Sequence, residues 1–101
     1  MDLRKYQDAV LHGSLCVNER DRFIENTLGL AGEAGEFADQ VKKQIRDGES
    51  RVMRQVEELG DVLWYLTSLA GQLGYTLAEL ASINYNKLSE RHPDRYPRVV
   101  E

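Results

Sequence analysis

The first proline of this chain is Pro93 and the only other is Pro97, so nothing before the last few residues stops a helix from propagating. Over that span the apolar positions recur at three and four, and no stretch alternates β-branched residues as a strand would. The chain therefore reads as all-α. Its 101 residues are enough for one small domain and too few for a second independent core.

Four helices follow from the pattern. The first covers Asp2 to about Leu11, with Leu3, Tyr6, Val10 and Leu11 as its apolar side, before His12-Gly13-Ser14 loosens it. Its role is expected to be structural. The second runs from about Arg20 to Arg46, where Asp47-Gly48 provides a glycine able to close a helix in the left-handed conformation. Leu30, Ala34, Phe37, Val41 and Ile45 form its expected inward stripe. Ser50 is the expected N-cap of a third helix, with Val52, Val56, Leu59, Leu63, Leu66, Ala70 and Leu73 as the inward stripe, ending at Gly74. Thr76-Leu77-Ala78-Glu79 is a capping box that opens a fourth helix ending near Arg91. The expected domain is single: an N-terminal helix and loop over 1–19, the main helices over 20–91, and an extended tail over 92–101. The long second and third helices form a hairpin across Gly48-Glu49 in a small antiparallel bundle of about four helices.

Composition narrows the partners. A net charge of −4 argues against nucleic acid, whose phosphates are held by concentrated Lys and Arg. An anionic ligand would need a cation as intermediary. The single cysteine, Cys16, forms no internal disulfide, reads as a small buried hydrophobe and fits a reducing, cytoplasmic compartment. No apolar run reaches the length of a membrane span, and MDLRKYQDAV lacks a signal peptide's apolar core. Apolar side chains outside the stripes (Leu28, Ala31, Ala38, Trp64, Leu69) leave surface best buried between subunits, so a homo-oligomer is expected to complete the bundle.

One segment contradicts good helix design. LGLAGEAGEFAD places Gly29, Gly32 and Gly35 in a helix, at up to about 1 kcal/mol each relative to alanine, and sets Glu33 and Glu36 one turn apart. The third helix carries the counterpart EELGD, where Glu58 and Asp61 share a flank with Tyr65 one turn further on. Twenty-one residues separate Glu36 from Glu58, enough for the hairpin to bring the two pairs together. Unscreened carboxylates at about 4 Å would repel by about 4 kcal/mol per pair at an effective dielectric of about 20. Relief comes from proton uptake, intervening solvent or a hard divalent cation. An all-oxygen donor set selects Mg²⁺ or Mn²⁺ over Zn²⁺, and a di-iron site would want Glu-x-x-His pairs that are absent. The competing reading is a solvated acidic helix face.

GLAGEAGEFAD followed by EELGDVLWYL resembles the MazG-like all-α nucleoside triphosphate pyrophosphohydrolases, related to the dimeric dUTPases, with their signature E-x-x-E, a spacer, then E-x-x-D. The resemblance covers about Leu28 to Arg91. It implies a helical dimer or tetramer that hydrolyses a nucleoside triphosphate to the monophosphate and pyrophosphate with Mg²⁺, Mn²⁺ being the alternative ion. House-cleaning of deoxy- or non-standard nucleotides is the implied role. On that basis Glu33, Glu36, Glu58 and Asp61 match the metal ligands and catalytic set, with Glu36 the expected water-orienting base. Asn84, Lys87 and Arg91 of NYNKLSER match a triphosphate grip, against the plainer reading of a solvated helix end. Tyr65 matches an aromatic against the base, against a core or interface tyrosine. Trp64, placed opposite the flank of Asp61, is expected at an oligomer contact rather than as a stacking platform. The alternative function is a non-catalytic metal- or nucleotide-binding helical module with an interaction or regulatory role.

Overall fold

The computed structural model describes residues 1–13 and 18–99. They form α1 (Leu3–Gly13), α2 (Glu19–Asp47), α3 (Val52–Gln72) and α4 (Leu77–Arg91), with no strand among them. Cys16 lies outside the described residues.

Each helix boundary has a local cause. The Asn18 side-chain oxygen accepts from the amides of Arg20 (3.0 Å) and Asp21 (3.3 Å), and Glu19 and Asp21 sit at the positive end of the α2 dipole. At its far end Gly48 takes φ +70° and donates its amide to the Gln44 carbonyl at 2.9 Å. A side chain there would be strained, so the glycine sets the turn between α2 and α3. Ser50 is not the cap of α3: Arg51 takes that position without a side-chain cap bond. The Arg51 amide donates to Gln44 Oε1 at 2.8 Å, so α2 satisfies the amide of the cap residue. The capping box of α4 is present, with the Glu79 amide donating to Thr76 Oγ1 (3.1 Å) and the Thr76 amide to Glu79 Oε1 (3.0 Å).

The four helices do not share one centre. α2 packs along α3 and touches neither α1 nor α4, while α1 and α4 gather on α3. Gly71 makes room for α1, because a Cβ there would run into the Leu11 side chain. Gln7 Oε1 of α1 accepts the Leu77 amide at 2.8 Å, tying α1 to the start of α4. After Arg91 the chain turns through His92, and the Tyr85 hydroxyl donates to the Pro97 carbonyl at 2.6 Å, holding the tail against α4.

Burial corrects the expected stripes. Among the described residues the buried apolar side chains are Val10 and Ala70. On α3, Val52, Val56, Leu59, Leu66 and Leu73 are exposed, and in α2 so are Ala34 and Ile45. Leu30, Phe37, Val41 and Leu63 of the expected stripes are half-buried, and α3 also meets α2 through polar side chains. Asn26 Nδ2 donates to Ser68 Oγ (2.8 Å) and Gln72 Oε1 (3.0 Å), and toward the hairpin turn Gln55 Nε2 donates to Gln44 Oε1 (3.1 Å). Asn26, Gln40, Thr67 and Ser68 are all buried. The physical reason is that a three-four stripe establishes amphipathicity but not which neighbour covers the apolar side. Of the side chains expected to supply surplus surface, Leu28 is exposed, while Trp64 and Leu69 are half-buried within the chain.

Candidate metal and nucleotide site

The polar seam of α2 and α3 opens midway into an acidic site. Glu33 comes from α2, and Glu58 and Asp61 from α3, in antiparallel register with the Asn26–Ser68 pair. One carboxylate oxygen from each of the three lies within 4.8 Å of the others. Glu36, one turn beyond Glu33, is exposed and stands outside this group, although its charge acts on Glu33. The hairpin thus gathers three of the four expected carboxylates.

The electrostatics are those of a site lacking its counter-charge. The neighbouring Glu58 carboxyl, as a hydrogen-bond partner, is the main cause holding the Glu33 pKa above its ordinary value, followed by desolvation and the charges of Asp61, Glu58 and Glu36. Other acidic residues of the hairpin are treated differently. Lys43 (2.9 Å) and Lys42 (3.5 Å) pair with Asp39, and Arg46 (2.8 Å) and Arg51 (3.2 Å) with Asp47. Among the described residues no lysine or arginine forms an ion pair with Glu33, Glu58 or Asp61. An all-carboxylate oxygen set, close-spaced and without a protein cation, fits a hard divalent ion of the Mg²⁺ or Mn²⁺ type.

Beside the carboxylates is a pocket of about 270 Å³ lined by Glu33, Asp61, Trp64 and Tyr65. Gly29 explains how Tyr65 enters it: a Cβ at position 29 would overlap the Tyr65 ring, so the glycine lets the ring lie against the α2 backbone. Gly32, Gly35 and Gly60 have open space where a Cβ would stand. Of these glycines, Gly29 is covered by Tyr65 and the others stand beside open space.

Trp64 does not lie opposite the flank of Asp61, as expected, but lines the same pocket. Three residues on an α-helix bring it back to within about 60° of Asp61, a spacing that was legible in the sequence. Tyr6 of α1 is a second residue with a link to the site that the sequence did not suggest. Burial and then the charge of Asp61 raise its hydroxyl pKa. The expected grip residues lie elsewhere. Asn84 and Lys87 border an open groove of about 600 Å³ walled by leucines of α1, α3 and α4, and Arg91 is exposed at the end of α4. None of the three lines the carboxylate pocket.

Comparison with known proteins agrees with this arrangement. The chain is 44% identical over 70 residues to the Gene 37 protein of Mycobacterium phage L5, a match covering 64% of this chain and 61% of that protein. The chain therefore matches about three-fifths of that relative's length. No solved structure matches it. The MazG nucleotide pyrophosphohydrolase domain matches residues 22–96, a span that holds all but the first three residues of α2 together with α3 and α4. With the paired acidic motifs meeting across that hairpin in an all-α fold, the chain belongs to the MazG nucleotide pyrophosphohydrolase family.

Proposed function

We propose that this protein is a Mg²⁺-dependent nucleoside triphosphate pyrophosphohydrolase, with Mn²⁺ as the alternative ion, converting a (d)NTP to the (d)NMP and pyrophosphate. The observation that carries the proposal is the convergence of Glu33, Glu58 and Asp61 oxygens within 4.8 Å, with no lysine or arginine among the described residues paired to them. A divalent ion held there would neutralise the triphosphate and acidify a water.

The residues of the chain have distinct tasks. Glu33, Glu58 and Asp61 would hold the ion, whose charge would offset that of the phosphates. Glu36, exposed one turn away, orients the attacking water and takes its proton as the water oxygen bonds to the α-phosphorus. The α–β bridging P–O bond breaks, and its oxygen leaves with pyrophosphate. Tyr65 bounds the pocket on the nucleoside side. Asn84, Lys87 and Arg91 grip the phosphates from a neighbouring copy in a homodimer or homotetramer, which is supported by the exposed apolar row of α3 beside their groove. The substrates are deoxy- or non-standard nucleotides removed in the cytoplasm. No helix among the described residues is long and apolar enough to cross a membrane.

The test is a panel of NTPs and dNTPs assayed for pyrophosphate release with Mg²⁺ and with EDTA. Release with Mg²⁺ alone is expected, and Asp61→Asn should lower it on the order of 10²-fold or more, the scale of one lost electrostatic stabiliser. Without metal that variant should melt no lower than the wild type, because it removes one of the repelling charges. No release from any nucleotide would support the non-catalytic binding module instead.

A further inference from the structure

We propose that Trp64 is the stacking face for the substrate's base, and that Tyr65 acts as the fixed wall that positions it. This rests on the nucleotide reading of the carboxylate site. The pocket's lining is of two chemical kinds, the carboxylates of Glu33 and Asp61 and the rings of Trp64 and Tyr65. A nucleotide has the same division, with charged phosphates that need a cation and a flat base that needs an apolar surface. The two rings differ in freedom. Tyr65 is lodged against the Gly29 backbone, where not even a methyl group would fit, and meets Trp64 edge to face at 5.1 Å between centroids and 80° between planes. Both neighbours hold it in place.

Trp64 is supported by Tyr65 and lies nearly one turn along α3 from Asp61, so its indole lines the same pocket as that carboxylate. It is half-buried, held firmly enough to keep its orientation and open enough to receive a second ring. Indole is also the largest aromatic surface available, and stacking against it tolerates any base while favouring the larger ones.

Trp64 is the only tryptophan in the chain, so its fluorescence reports on this position alone. The probes are α,β-imido analogues of the four common dNTPs and of dUTP, with Mg²⁺, set against inorganic tripolyphosphate with Mg²⁺, which carries the charge without a base. The analogues should change Trp64 emission saturably, and tripolyphosphate should leave it nearly unchanged. In turnover, Trp64→Ala should raise KM about tenfold, the order of one lost stacking partner, with a much smaller effect on kcat. Trp64→Phe should recover most of the loss, and both variants should sediment like the wild type. The proposal is overturned if analogues that bind by calorimetry leave the emission unchanged, or if Trp64→Ala keeps the wild-type KM. It is also overturned if that variant changes only the sedimentation, which would make Trp64 a subunit contact. Those results leave the pyrophosphohydrolase reading standing. If no nucleotide is hydrolysed and no analogue binds, both readings fall together.

Discussion

Along α3, the residues turned toward α2 and those turned away differ in kind. Gln55, Glu58, Tyr65, Ser68 and Gln72 meet α2 through hydrogen bonds, the acidic site and the Gly29 contact. Val52, Val56, Leu59, Leu66 and Leu73 remain exposed on the chain. Hydrophobic burial is strong but indifferent to register, whereas paired amides and hydroxyls cost free energy unless each finds its partner. The polar seam therefore fixes the register that brings Glu33 opposite Asp61. The apolar row is the surface that the proposed oligomer would bury.

The most damaging way to break this division is to charge the outer face. Val56→Glu with Leu59→Glu should convert an oligomer to a monomer in sedimentation and lower its melting temperature. Each apolar side chain buried between copies contributes about 1.5–3 kcal/mol. A wild-type chain sedimenting as a monomer at micromolar concentration would refute the oligomeric half of the comparison.

A smaller effect is expected at the seam. Asn26→Ala removes the donor to Ser68 and Gln72 within a buried site and should cost about 1–3 kcal/mol, read as a lower urea midpoint with unchanged sedimentation. A midpoint within error of the wild type would mean that the amide ladder does not set the register.

The smallest effect is in the pH dependence, and its sign differs between the site and the hairpin turn. Glu33 has a raised pKa, so the folded chain binds this proton more tightly than the unfolded one. Stability without metal should fall as pH rises through the folded Glu33 value and be recovered on acidification toward the ordinary carboxylate value of 4.5. Asp47 acts in the opposite sense. Arg46, then Arg51, lower its pKa from 3.8 to about 2, so its contribution is present above 3.8 and lost as pH falls through about 2. Calorimetry across pH should show Mg²⁺ stabilising the protein more at neutral pH than in mild acid. An equal shift at both would separate Glu33 from the metal site.

Much of this was legible beforehand, for identifiable reasons. Helix number, the Gly48 stop and the Thr76–Glu79 box depend on a few neighbouring residues, and the structure keeps them. The pairing of Glu33 with Glu58 and Asp61 was legible because two motifs on a short hairpin have few ways to meet. The inward stripe of α3 was misread because periodicity identifies an apolar face without naming its neighbour. Ser50 is not the cap because α3 begins at Val52, which puts Arg51 in the cap position. Trp64 was misplaced although its spacing from Asp61 pointed to the pocket.

The sequence by itself determined four helices, their ends and the two acidic motifs, since these follow from propensity, capping and spacing within a turn or two. Only the tertiary structure decided that α3 pairs Gln55 and Gln72 with α2 and leaves Leu59, Leu66 and the following Leu73 exposed. It alone placed Glu36 outside the closest carboxylates, lodged Tyr65 against Gly29, and carried Lys87 away from the acidic pocket. Those outcomes depend on which surfaces meet at a distance along the chain, and local periodicity leaves that choice to packing.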